Sequence, residues 1–121
     1  MVTAVTNLGR SGLYDWIVQR ATAVVLLAYF VFLAVFLITH PHLGFSEWKG
    51  LFSHTWMRVF SMLALLSMCM HAWIGLWGVS TDYLTVRLMG PKATALGLAF
   101  QAAYSIVLFS YLVWGIQVLW G

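Results

Sequence analysis

The residues best placed to do chemistry lie in one stretch, His71-Ala72-Trp73-Ile74-Gly75-Leu76-Trp77-Gly78-Val79-Ser80-Thr81-Asp82-Tyr83, which runs from the middle of a hydrophobic segment to its polar end. An imidazole inside a long apolar run is costly unless something satisfies it, so an intramembrane histidine is a functional hypothesis by default. At about 100° per residue, Gly75, Gly78 and Asp82 lie within roughly 40° of His71 around a helix. One face therefore carries an imidazole nitrogen, two positions without side chains, and then a carboxylate. Glycines at such positions let another helix, or a flat cofactor, approach the backbone closely.

Three readings of His71 compete. It packs and hydrogen-bonds to a neighbouring helix; it belongs to a proton path, for which the chain offers too few intramembrane acids; or it is an axial ligand to haem, a neutral imidazole binding iron beside a flat apolar macrocycle. The glycines on its face favour the third. Counting inward from the polar end, His71 lies about nine residues deep, roughly 13 Å, and Arg20 about four, roughly 6 Å. A haem propionate directed to that side would end between these depths, where an arginine fork suits a carboxylate. The alternative is an arginine snorkelling to the head groups. Only one histidine occupies the required depth, so a second axial histidine must come from another polypeptide. Tyr83 is either a residue of the interfacial aromatic belt or a hydrogen-bond donor to the carbonyl of an amphipathic ligand such as a quinone. Asp82 beside it can pair with an arginine or feed a proton to that site.

The elements that position these residues follow from composition. The chain has 121 residues, 63% of them hydrophobic and 7% charged, against roughly 25% charged in soluble domains. These values predict a small all-α integral membrane protein forming a single domain over residues 1–121. The formal charge of +3 comes from scattered cations and excludes the clustered basic patch that nucleic-acid binding requires. Arg20 interrupts the first apolar run, so no cleavable signal is expected.

Three transmembrane helices are expected, at 16–38, 56–80 and 93–119, after an arm at 1–15 rich in turn residues. The first contains 18 uncharged residues from Ala21 to Ile38 and stops at His40-Pro41. Between the first two spans, Ser46 is expected to cap a short interfacial helix whose apolar face holds Trp48, Leu51 and Phe52. Arg58 is expected to snorkel at the outer end of the second span. The first and third polar segments hold Arg10, Arg20, Arg87 and Lys92, against Lys49 and Arg58 on the other side. That bias predicts a cytoplasmic N-terminus and a periplasmic C-terminus. His40, His42 and His54 fall at the outer end. His54, 17 residues before His71, is about 25 Å away along a helix and cannot share a metal with it. Cys69 reads as a small buried hydrophobe.

These residues resemble a known family, the hydrophobic membrane anchor of bacterial succinate dehydrogenase (complex II), in its small D-type cytochrome b subunit. The matching features are Leu8-Gly9-Arg10 and Asp15, Arg20-Ala21-Thr22 opening the first span, and His71-Ala72-Trp73-Ile74-Gly75 with Thr81-Asp82-Tyr83 closing the second. The loops at 41–55 and 84–92 do not carry it. The resemblance implies a bundle shared with a C-type anchor subunit and one haem b held by a histidine from each. His71 would be the iron ligand and Arg20 a propionate contact. Tyr83 would hydrogen-bond ubiquinone, with Asp82 in the surrounding polar network. It further implies iron–sulfur and flavoprotein subunits as partners, and the bacterial inner membrane as the location. By itself the chain would have no catalytic competence. The alternatives are an anchor of a quinol:fumarate reductase, or a structural membrane subunit without haem.

Overall fold

A computed structural model describes residues 12–121, which form helices and short connections with no strand among them. The long elements are α1 (Gly12–Thr39), α3 (Thr55–Tyr83) and α5 (Ala93–Trp120). Between them lie α2 (Phe45–Ser53), α4 (Val86–Met89) and a single 3-10 turn, Gly90–Lys92. Each long helix, of 28 or 29 residues, is about 42 Å in length at 1.5 Å per residue. That exceeds a hydrocarbon core of roughly 30 Å, so the helices tilt or project beyond it. Three helices are long and apolar enough to cross a membrane, so the chain is an all-α multi-pass membrane protein. Of the expected N-terminal arm, residues 1–11, including Leu8-Gly9-Arg10, lie outside the described residues. Residues 12–15 form the first turn of α1, where Asp15 suits the positive end of the helix dipole.

Local chemistry sets the ends. At the close of α1, His40 Nδ1 lies 2.8 Å from the Phe36 carbonyl and its ring stacks on Phe36 at 4.2 Å, which covers an orphan carbonyl of the last turn before Pro41. The short interfacial helix exists, but Ser46 does not cap it. Gly44 is the N-cap, in an extended conformation without a side-chain bond, because the first intrahelical bond already runs from the Trp48 N–H to the Gly44 carbonyl. Leu51 of α2 is buried, and Trp48 packs on Phe36 and Phe52. Arg58 reaches back past the start of α3, its Nε donating to the Phe52 carbonyl at 3.0 Å, where a cation meets the negative end of α2. After α3, Thr85 caps α4 by accepting from the Leu88 N–H. Gly90 then takes φ +77°, a left-handed value that a side chain would disfavour.

α3 is the central helix, packing on α1 along one side and α5 along the other. Its buried residues are mostly small or polar, Ser61, Ala64, Ser67 and Ser80, together with a fully buried Met57. Small side chains let membrane helices approach, and hydrogen bonds then join them. Ser61 Oγ lies 2.7 Å from Tyr29 Oη of α1. On the α5 side Gln101 Nε2 donates to Ser80 Oγ at 3.0 Å, and Trp73 meets Tyr104 edge to face at 5.1 Å. Gly115 lies so close to Leu65 that a methyl group there would overlap it. Phe32, Trp56 and Phe60 gather at the outer end, as expected of an interfacial aromatic belt. Most of the remaining apolar side chains face away from the chain's own core.

Candidate functional site

The site is assembled where α1 crosses α3. Along α1, Asp15, Gln19 and Thr22 recur at i, i+4 and i+7 and so lie on one face. Thr22 is the buried residue of α1, with 6% exposure, although almost every neighbour is apolar. Its Oγ1 lies 3.1 Å from Nδ1 of half-buried His71. The same oxygen is 2.7 Å from the Val18 carbonyl and 3.2 Å from that of Gln19. His71 therefore has one ring nitrogen committed to α1 and the other, Nε2, free to act elsewhere. An unprotonated imidazole nitrogen at such a depth is suited to ligating a metal.

The two glycines that share the histidine's face differ in surroundings. A Cβ at Gly75 would stand 3.8 Å from Gln19 Nε2, an ordinary contact across the helix pair. One at Gly78 would meet nothing within 4 Å, so this face is open toward the C-terminal end of α3. Gln19 Oε1 is buried without a hydrogen-bond partner among the described residues. Such an atom is costly in an apolar medium and suits a donor from outside the chain.

Arg20 is not brought to His71. It is two residues from Thr22, about 160° away around the helix, and its guanidinium lies 4.6 Å above the Trp16 ring on an exposed face. Asp82 and Tyr83 are the last residues of α3 and both are exposed, Tyr83 by 63%. The adjacent cleft, about 300 Å³ and lined by Ser80, Thr81, Leu84, Thr94, Gly97 and Gln101, opens on the α5 side and is not lined by either residue. His40, His42 and His54 flank α2, at the end of α3 opposite Tyr83. Among the described residues no group of three or more His, Cys, Asp or Glu could hold a bare metal ion.

Sequence reasoning missed two features. Gln19 was not singled out, although a polar stripe at i, i+4 and i+7 of an otherwise apolar span was the available signal. Gln101 shares a face with Gly97 and Tyr104 at the same spacing in α5, but which residue of α3 it would meet, Ser80, has no signal within either helix.

Two comparisons bear on this arrangement. Residues 3–112 match the family described as succinate dehydrogenase/fumarate reductase transmembrane subunit. The chain is also 38% identical over 116 residues to the succinate dehydrogenase hydrophobic membrane anchor subunit of Coxiella burnetii (strain RSA 493 / Nine Mile phase I), covering 96% of this chain and 95% of that one. A three-span helical chain with a half-buried histidine set against its first helix, matched along nearly its whole length, belongs to the succinate dehydrogenase/fumarate reductase transmembrane subunit family as a hydrophobic membrane anchor.

Proposed function

We propose that this anchor holds one b-type haem jointly with a C-type partner subunit and completes the site at which quinone is reduced by electrons from the iron–sulfur subunit. The flavoprotein subunit oxidises succinate, and this chain fastens the assembly to the bacterial inner membrane. The N-terminus is cytoplasmic and the C-terminus periplasmic, following the bias of Arg10, Arg20, Arg87 and Lys92 against Lys49 and Arg58.

The observation that carries the reading is the His71–Thr22 contact of 3.1 Å, which engages Nδ1 from α1 and leaves Nε2 as the ring nitrogen available to a ligand. The donor set fits haem: the macrocycle brings four nitrogens of its own and asks one imidazole of this chain, where a bare ion would need several ligands. When bound, haem supplies a one-electron redox centre. His71 would hold the iron, and Gly78 leaves the backbone accessible on the same face. Arg20 is the cation at the depth where a propionate would end, and the buried Gln19 Oε1 is a second polar atom near that level.

At the end of α3 the Tyr83 hydroxyl would donate a hydrogen bond to a ubiquinone carbonyl, with Asp82 in the surrounding polar network. Both side chains are exposed in the chain by itself, as residues that complete a site with other subunits would be. The reduction adds two electrons and two protons to the quinone, the electrons arriving from the iron–sulfur subunit.

The test uses the purified complex. A reduced-minus-oxidised visible spectrum should show a b-type signal that is lost or perturbed by His71→Ala. Tyr83→Phe should lower quinone reductase activity while electron transfer from succinate to a soluble artificial acceptor persists. A complex with no b-type signal overturns the haem assignment, and equal loss of both activities in Tyr83→Phe overturns the quinone role in favour of assembly.

A further inference from the structure

We infer that Thr22 is a positioning residue for the haem ligand: its hydroxyl accepts the Nδ1 proton of His71 and so holds the imidazole in the tautomer that presents a bare Nε2. The inference rests on the haem reading above and assigns a determinant of ligand state to a residue outside the ligand itself.

Proton bookkeeping carries the argument. A threonine hydroxyl has one proton and two lone pairs. In a helix it gives that proton to the carbonyl one turn back, and Thr22 Oγ1 lies 2.7 Å from the Val18 carbonyl oxygen, with that of Gln19 at 3.2 Å. Carbonyl oxygens only accept, so the hydroxyl proton is spent within α1. Toward His71 Nδ1, at 3.1 Å, the oxygen can then act only as an acceptor, and Nδ1 must carry the proton. A neutral imidazole has a single N–H, so Nε2 is left with its lone pair. The opposite tautomer would place the proton on the nitrogen that must bind iron, and would require the Thr22 hydroxyl to give up its bond to the Val18 carbonyl in order to donate to Nδ1.

Two further features single out this contact. Thr22 is the buried side chain of α1, so the position this helix buries is a polar one. The hydroxyl also lies on the face of α1 that carries Gln19, whose amide nitrogen would stand 3.8 Å from a Cβ at Gly75, so α1 approaches the histidine's helix from this one side. An N–H bond to a fixed acceptor orients a ligating histidine and raises its basicity, which favours the ferric state over the ferrous.

The experiment compares Thr22→Val, which keeps the branched shape and removes the acceptor, with Thr22→Ser, which keeps the acceptor and removes a methyl. Both are made in the complete complex. Haem per flavin and the haem midpoint potential are measured by redox titration of the visible spectrum, with His71→Ala and wild type alongside. Thr22→Val should weaken haem retention by about 10- to 100-fold and raise the midpoint potential. Each tenfold loss of preference for ferric iron corresponds to about 59 mV. Thr22→Ser should restore both values to those of wild type.

Wild-type haem content and potential in Thr22→Val, with a spectrum still lost in His71→Ala, would overturn the positioning role and leave the haem reading intact. A Thr22→Ser complex as impaired as Thr22→Val would also overturn it, reducing the residue to packing. Absence of a b-type spectrum in wild type, or its indifference to His71→Ala, would instead sink the haem reading itself. Should Thr22→Val fail to assemble, Thr22→Ala, which adds no atoms, is read against Thr22→Ser by the same two measurements.

Discussion

Gly78→Leu separates what this chain needs for its own fold from what it needs for its partners. In the chain alone a Cβ at Gly78 would meet no atom within 4 Å, so the first carbon added there creates no internal clash. Helix propensity improves by up to about 1 kcal/mol when glycine is replaced in a helix interior. The position is seven residues from His71, on the same face and about 10 Å nearer the C-terminal end of α3. If a macrocycle or partner helix rests there at van der Waals distance, about 3.5–4.0 Å between carbons, four added carbons must displace it. Overpacking of this kind costs roughly 1–3 kcal/mol, which lowers occupancy about 5- to 150-fold at 1.4 kcal/mol per decade. The assay is haem per copy of this chain in the detergent-extracted complex, from the reduced-minus-oxidised spectrum against a quantitative immunoblot. Gly78→Ala should fall between wild type and Gly78→Leu. A Gly78→Leu complex with wild-type haem and subunit ratios would refute the reasoning, because the open face would then be facing lipid.

Two further outcomes follow from the packing and the charge pattern. Ser80→Ala removes the acceptor for Gln101 Nε2 at 3.0 Å and should destabilise the α3–α5 contact by about 0.6 kcal/mol, at most roughly 1.7, the range for hydrogen bonds between membrane helices; the thermal midpoint of the complex should fall slightly while the haem spectrum stays constant. A reporter fused after Gly121 should be active only in its periplasmic form, and a cytoplasmic signal there would overturn the orientation.

The sequence by itself determined the all-α membrane class, the three spans and the intramembrane histidine, because each rests on composition and local periodicity. A run of apolar residues must form a helix to satisfy its backbone in lipid, and a histidine within it stands out wherever the helix packs. The glycines and Asp82 on the histidine's face were legible for the same reason, since a 3.6-residue repeat orders one helix without reference to any other. Ser46 misled because capping depends on where the chain turns after Pro41, which placed Gly44 at the helix start. Arg58 was expected to lean toward the start of its helix, but the carbonyl it meets there belongs to a preceding element whose end only the fold brings near. What the tertiary structure alone decided is which residues of separate helices meet. His71 and Thr22 are 49 residues apart in the chain and 3.1 Å apart across the helix pair, a consequence of the crossing of α1 and α3 that no single-helix pattern encodes. That crossing turns a buried imidazole into one with a defined free nitrogen, and it sends Arg20 to the far side of α1, over Trp16.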